Sequence, residues 1–155
     1  MPVCGSSADG ASVSIARAAE IETVIDRVTR WASGRRDIAG LLLVGSCARD
    51  AARPSSDVDF VLLTRREAWY SGTAWTAGLA IGDLVITRSW GPITERRFVT
   101  SSGLEVELGI GTPGWASVTP VDAGTLRVVN DGARPLYDPD GLLAALLDAC
   151  RKAAL

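Results

Sequence analysis

Histidine is absent from this 155-residue chain. That absence removes Ser-His-Asp triads, Cys-His dyads, histidine general bases and His-ligated metals at a stroke. Lysine occurs once, at Lys152 near the carboxyl end, which leaves little room for a lysine-centred mechanism. Cysteine is scarce too: Cys4, Cys47 and Cys150 are odd in number and show no C-x-x-C spacing. The pattern argues against a zinc site or a disulfide framework and fits a reduced cytoplasm, where the protein is expected to reside. No run of about 18 uncharged apolar residues exists, so no transmembrane helix is expected. The opening stretch MPVCGSSADGA has neither a basic segment nor an apolar core. It reads as a flexible N-terminus (residues 1–11) rather than a signal peptide. Neither sign of charge dominates. A formal net charge of −2 gives no global field for duplex nucleic acid or an anionic membrane. Chemistry, if there is any, falls to carboxylates, arginines, or a metal held by oxygen.

What is present is ordinary for a folded chain, with 47% hydrophobic and 22% charged residues. Residues 12–155 are long enough for one domain with a real core. Apolar residues at Ile15, Ala18, Ala19, Ile21, Val24, Ile25, Val28 and Trp31 have helical spacing, with Ser12 or Ser14 as cap and Gly34 as stop. Ile38–Val44 is apolar at nearly every position and predicts a buried strand. A helical turn over Cys47–Ala52 and a short helix over Arg65–Tyr70 are expected, and Thr73–Gly82 gives no clear pattern. Leu84–Trp90 and Ile93–Thr100 predict a hairpin turning at Gly91-Pro92. Strict alternation marks Leu104–Ile110 as a strand, with Glu105 and Glu107 on its polar side. Thr125–Val129 reads as a further strand, followed by a turn at Asn130-Asp131-Gly132. A last helix is expected from Pro139 to about Ala153, capped by Asp138. Strands interleaved with helices, plus one hairpin, predict an α/β (α+β) domain with a mixed sheet flanked by helices.

The chain is organised around Leu41–Leu63, LLLVGSCARDAARPSSDVDFVLL. An apolar run ends on Gly45-Ser46, and ten residues later Asp57-Val58-Asp59 leads into a second run, Phe60–Leu63. Strand side chains alternate, so Asp57 and Asp59 share a face, roughly 7 Å apart. Carboxylates that close repel and are costly to bury unless a cation sits between them. A hard divalent ion such as Mg²⁺, which takes oxygen ligands and accepts phosphate as co-ligand, answers both problems.

Gly45-Ser46, then Asp57-Val58-Asp59-Phe60, then Val106-Glu107-Leu108 resembles the nucleotidyltransferase superfamily with the DNA polymerase β-like fold. The likeness covers roughly residues 15–110, and in size the chain is similar to small bacterial members such as aminoglycoside and minimal nucleotidyltransferases. The resemblance implies transfer of a nucleoside monophosphate from a triphosphate such as ATP to a hydroxyl of a small molecule or protein. It implies two Mg²⁺ ions, with Mn²⁺ as a substitute, held by Asp57, Asp59 and a third carboxylate. Glu107, mid-strand between Val106 and Leu108, is the choice for that third position, and Glu105 is the runner-up. The family more commonly has Asp there, and the longer Glu requires its strand to lie slightly further back. Gly45 would let the backbone approach phosphate, Ser46 would donate to it, and Arg49 would reach the triphosphate.

Arg88, Arg96 and Arg97 are further candidates for phosphate or acceptor contacts. Trp69, Trp75, Trp90 and Trp115 are candidates for base stacking, with core roles as the alternative. Cys47 has no base to activate it and reads as inert. A rival function is a non-catalytic binding module, the antitoxin-like partner of another protein. Few residues remain after Ile110 to build a second wall of the cleft, so a second copy or another protein is expected to complete it.

Overall fold

The computed structural model describes residues 13–153. The expected flexible residues 1–11, Cys4 and the candidate cap Ser12 lie outside that range. The first helix, α1, spans Ile15–Ser33, and the Ser14 hydroxyl accepts from the Arg17 N–H at its start. Its buried stripe is Ile21, Val24, Ile25, Val28 and Ala32, the spacing an amphipathic helix needs to lie on a sheet.

Six strands follow: β1 Ile38–Val44, β2 Val58–Thr64, β3 Asp83–Trp90, β4 Ile93–Val99, β5 Glu105–Gly111 and β6 Ala133–Tyr137. They form one sheet in the order β3-β4-β5-β2-β1-β6. Only β2 and β5 run parallel; every other neighbouring pair is antiparallel. β1 is buried from Ile38 to Leu43 because helices cover both of its faces. On one face Leu41, Leu43, Phe60, Leu62, Val106 and Leu108 pack with α1. On the other, Leu42, Val61 and Leu63 pack with the last helix, α4, Leu142–Ala153. Gly40 permits that approach, since a Cβ there would lie 3.0 Å from Leu143 Cδ1.

The strand expected at Thr125–Val129 is a helix. It belongs to α3, Ala123–Asn130, which follows the one-turn α2 at Thr76–Leu79. The β-branched run suggested a strand, but the Asp122 carboxylate accepts from the N–H groups of Gly124 and Thr125 and starts a helical turn. Leu126 and Val129 then pack on the second core. The sequence reading also passed over β6. This edge strand pairs only with β1, so the missing N–H of Pro135 is tolerated there. The last helix starts at Leu142, not Pro139, although Asp138 does cap it, accepting from the N–H groups of Leu143 and Ala144. The helical turn expected over Cys47–Ala52 and the short helix expected over Arg65–Tyr70 are 3-10 helices, at Ser46–Arg49 and Glu67–Tyr70. The hairpin turns as expected, with Trp90 opposite Ile93 and Gly91 at φ +57°. No helix among the described residues is long and apolar enough to cross a membrane.

Candidate active site

Because β2 and β5 are in parallel register, Asp59 lies level with Glu107 and Val58 with Val106. β4 runs antiparallel to β5 and puts Arg97 opposite Glu107 and Glu95 opposite Gly109. Strand alternation then gathers Asp57, Asp59, Glu95, Arg97, Glu105 and Glu107 onto one side of the sheet. This is the side that carries α3 and α4, but beyond the area those helices cover.

Asp59 sits deepest. Val44 of β1 flanks it across the sheet, and Gly45 follows at φ +75°. A Cβ on Gly45 would stand 3.0 Å from Asp59 Oδ2, so glycine is required here both for its backbone angle and for space. Asp59 Oδ1 is buried and has no hydrogen-bond partner among the described residues. Burial, reinforced by the neighbouring charge of Asp57, pushes the Asp59 carboxyl up to about 6. Glu107 is pushed up to about 7 by burial and by the charges of Asp59 and Glu95, with Arg97 opposing. Raised carboxyl groups of this kind mark a site short of positive charge.

The positive charge present is the Arg97 guanidinium. Its Nη1 donates to Asp57 Oδ2 at 3.0 Å and to Glu105 Oε1 at 2.6 Å. Its Nη2 reaches both Glu107 oxygens at 3.5 Å, and Nε reaches Glu95 Oε2 at 3.4 Å. Glu95, which the sequence reading did not single out, is buried. Burial raises its carboxyl, but the Trp90 indole N–H, Arg88 and Arg97 together bring it below the ordinary range. The signal for both residues lay in Ile93–Val99, where Glu95 and Arg97 alternate onto the face of Glu107 once the hairpin register is known.

The other candidates are placed as follows. Ser46 begins the 3-10 turn directly after Gly45. Arg49, at its end, is turned toward the end of α3, where Nη1 donates to the Asp131 carbonyl and pairs with its carboxylate at 3.2 Å. Glu105 is half-exposed at the rim. Arg96 points to the opposite face, is buried, and donates to the carbonyls of Tyr70, Ser71 and Gly72. Trp75 is buried among Trp31, Tyr70 and Phe98, and Trp69 is exposed. Trp90 and Trp115 line a cleft of about 520 Å³ that adjoins Asp59, Glu95 and Glu107 and is closed on its far side by Thr125 and Val128 of α3. Burial raises the Cys47 thiol to about 11, and its S–H faces the Asp57 carbonyl, so it is inert.

As the side chains stand, no three Asp, Glu or Cys groups among the described residues converge as a ready cation site. The donor chemistry nonetheless suits a hard divalent ion: the donors are carboxylate oxygens, and Asp59 Oδ1 has no partner among the described residues.

A family model for the nucleotidyltransferase domain matches residues 22–98, which include Gly45, Asp57, Asp59 and Arg97 but stop short of β5. Among solved structures, the Cid1 poly(U) polymerase with Mg and 3'-dATP bound is similar at 17% identity and a TM-score of 0.50. That match covers 64% of this chain and 32% of that one. The polymerase core of the TRAMP RNA surveillance complex aligns at 22% identity and a TM-score of 0.42, over 63% and 32% of the two chains. The chain thus spans about a third of the length of these structures. Comparison with curated proteins returns no match. Residues 22–98, which hold the Gly45-Ser46 turn and the Asp57-Val58-Asp59 strand, thus match the nucleotidyltransferase domain family.

Proposed function

We propose that the protein is a metal-dependent nucleotidyltransferase that moves a nucleoside monophosphate from a triphosphate to a hydroxyl group. The observation that carries this reading is the placement of Asp59 level with Glu107, with Asp57 on the same face and Gly45 packed against Asp59. Asp57, Asp59 and Glu107 would hold Mg²⁺, two ions in all, or Mn²⁺ in its place. Bound there, the metal would neutralise the triphosphate and make the acceptor hydroxyl more acidic.

The protein's own groups divide the remaining work. Gly45, lacking a Cβ, leaves room for phosphate beside Asp59, although its N–H already donates to the Gly132 carbonyl, and the Ser46 hydroxyl is suited to donate to a phosphate oxygen. Arg49 can join them only by leaving Asp131, an exposed pair that is cheap to break. Glu107, level with Asp59, would complete the carboxylate set that holds the metal. The cleft with Trp90 and Trp115 offers two indole faces beside the carboxylates for a base or an acceptor ring. Two described cysteines, Cys47 and Cys150, are buried free thiols, which supports a cytoplasmic setting. Residues 12–155 act as one domain in this reading, with a second copy or another protein completing the cleft wall.

A second reading, a binding module without turnover, draws on the ion pairs that already engage Asp57 and Glu107 through Arg97. Labelled ATP and GTP with Mg²⁺ or Mn²⁺ and candidate acceptors separate the two. Transfer by wild type, lost in Asp59→Ala while the fold is kept, is the expected result. Absence of transfer with every acceptor, together with a nucleotide-induced rise in melting temperature, favours the binding module.

A further inference from the structure

Arg97 stands where a cation would serve best. One guanidinium bridges Asp57, Glu95, Glu105 and Glu107 at 2.6–3.5 Å, and its side chain is only 18% exposed. The backbone beneath it cannot yield, because β4 is paired along its length with β3 on one side and β5 on the other. Nor can it be released by losing its own charge, because an arginine side chain stays protonated throughout the accessible range. While those carboxylates are ionised, another cation, or an anion able to draw the guanidinium away, is needed to free the oxygens of Asp57 and Glu107.

One partner already points outward. Glu105, nearly half exposed, makes the shortest of the four contacts, so a guanidinium rotated toward the rim can keep that contact while dropping Asp57 and Glu107. At the rim it would meet solvent and any bound polyphosphate.

We propose that Arg97 is a resident competitor for the metal, displaced when the triphosphate arrives, so that the protein takes up metal together with nucleotide rather than before it. The inference rests on the nucleotidyltransferase reading and adds an order of binding to it. It makes Arg97 a positioning residue whose removal has opposite effects on two measurable quantities. The metal alone should bind better without it, since a like charge leaves the site and two carboxylates are freed. The benefit that triphosphate confers on metal binding should shrink, since that benefit includes the new partner offered to the guanidinium.

The test is a Mn²⁺ titration, with free Mn²⁺ followed by electron paramagnetic resonance. Wild type and Arg97→Gln are compared with and without an ATP analogue carrying a methylene between its α- and β-phosphates. Arg97→Gln should bind Mn²⁺ alone about 10-fold tighter or better, a difference of about 1.4 kcal/mol. The analogue should improve Mn²⁺ affinity several-fold more in wild type than in the variant. Equal Mn²⁺ affinities, or equal gains from the analogue, overturn the proposal and leave Arg97 a structural tie. Should Arg97→Gln fail to fold, Arg97→Lys replaces it: a point charge with a single nitrogen cannot span four carboxylates, and a smaller shift of the same sign is expected. Asp59→Ala is the control for the underlying reading. Undiminished Mn²⁺ binding in that variant sinks the metal site itself, whatever Arg97 does.

Discussion

At the scale of single residues, the two glutamates of β5 are distinguished by depth. Glu107 lies level with Asp59 and is pushed up by burial, whereas Glu105 stands half-exposed at the rim and its contact is with Arg97. Glu107→Gln should therefore cut transfer activity by about 100-fold or more, since it removes a charge from the metal shell and loss of a ligand should cost at least as much as loss of its supporting hydrogen bonds. Glu105→Gln should cost less than about tenfold, and equal losses in a side-by-side kinetic comparison would refute the assignment. The same contrast separates the two aspartates. From spacing alone, relief of charge repulsion is expected on neutralising Asp57, but Asp57 is the partner of Arg97, and the unpartnered oxygen belongs to Asp59. The stabilising substitution in metal-free protein is thus expected at Asp59, not Asp57.

At the scale of elements, the site depends on how closely the α3–α4 layer meets the sheet. Gly40 of β1 and Leu143 of α4 set that distance, with Leu143 fully buried. Gly40→Ala places a methyl within 3.0 Å of Leu143 Cδ1 and should destabilise by about 1–3 kcal/mol, as overpacking does. Leu143→Ala alone leaves a cavity and should cost about 2–5 kcal/mol. The double variant should cost less than the sum, because the added methyl occupies part of the space that Leu143 vacates. Additive losses in urea denaturation would show that the helix and strand do not meet as described. Elsewhere a buried arginine does the joining: Arg96 ties β4 to the 70–72 loop through three carbonyls.

At the scale of the whole molecule, the carboxylate cluster makes stability depend on pH. Asp59 and Glu107 have folded values of about 6 and about 7, above their ordinary 3.8 and 4.5. Between these limits the native state binds more protons than the unfolded chain, so metal-free stability must fall as pH rises. The penalty is absent below about pH 4 and complete above about pH 7. It should amount to about 1–3 kcal/mol, because one proton shared between two neighbouring carboxylates relieves both. Glu20, held below its ordinary value chiefly by the Ser102 hydroxyl, acts with the opposite sign and loses its contribution as pH falls through its lowered value. The melting temperature in EDTA should therefore peak near pH 5 and decline toward pH 8. Asp59→Asn should flatten that decline, and a wild-type profile that rises from pH 5 to pH 8 would contradict the described burial of Asp59.

Local pattern alone specified much of this molecule. Helical spacing from Ile15 to Trp31, continuous apolarity in Ile38–Val44 and the two-residue period of Asp57 and Asp59 each follow from how side chains project from one element. They need no knowledge of neighbours, and the Gly45-Ser46 and Asp57-Val58-Asp59 motif was legible for that reason. Where local pattern and long-range packing disagreed, packing prevailed: Thr125–Val129 looks like a strand in isolation, yet the Asp122 cap and the apolar surface offered by the sheet make it helical. Partners were decided only by the tertiary structure. Arg97 stands 40 residues from Asp57 and 10 from Glu107, and only the pairing of β4, β5 and β2 turns those separations into contacts. Spacing along a chain sets which face a side chain occupies. Which charge it meets there, and how deeply both are buried, is set by the order and register of strands that the sequence joins only through loops.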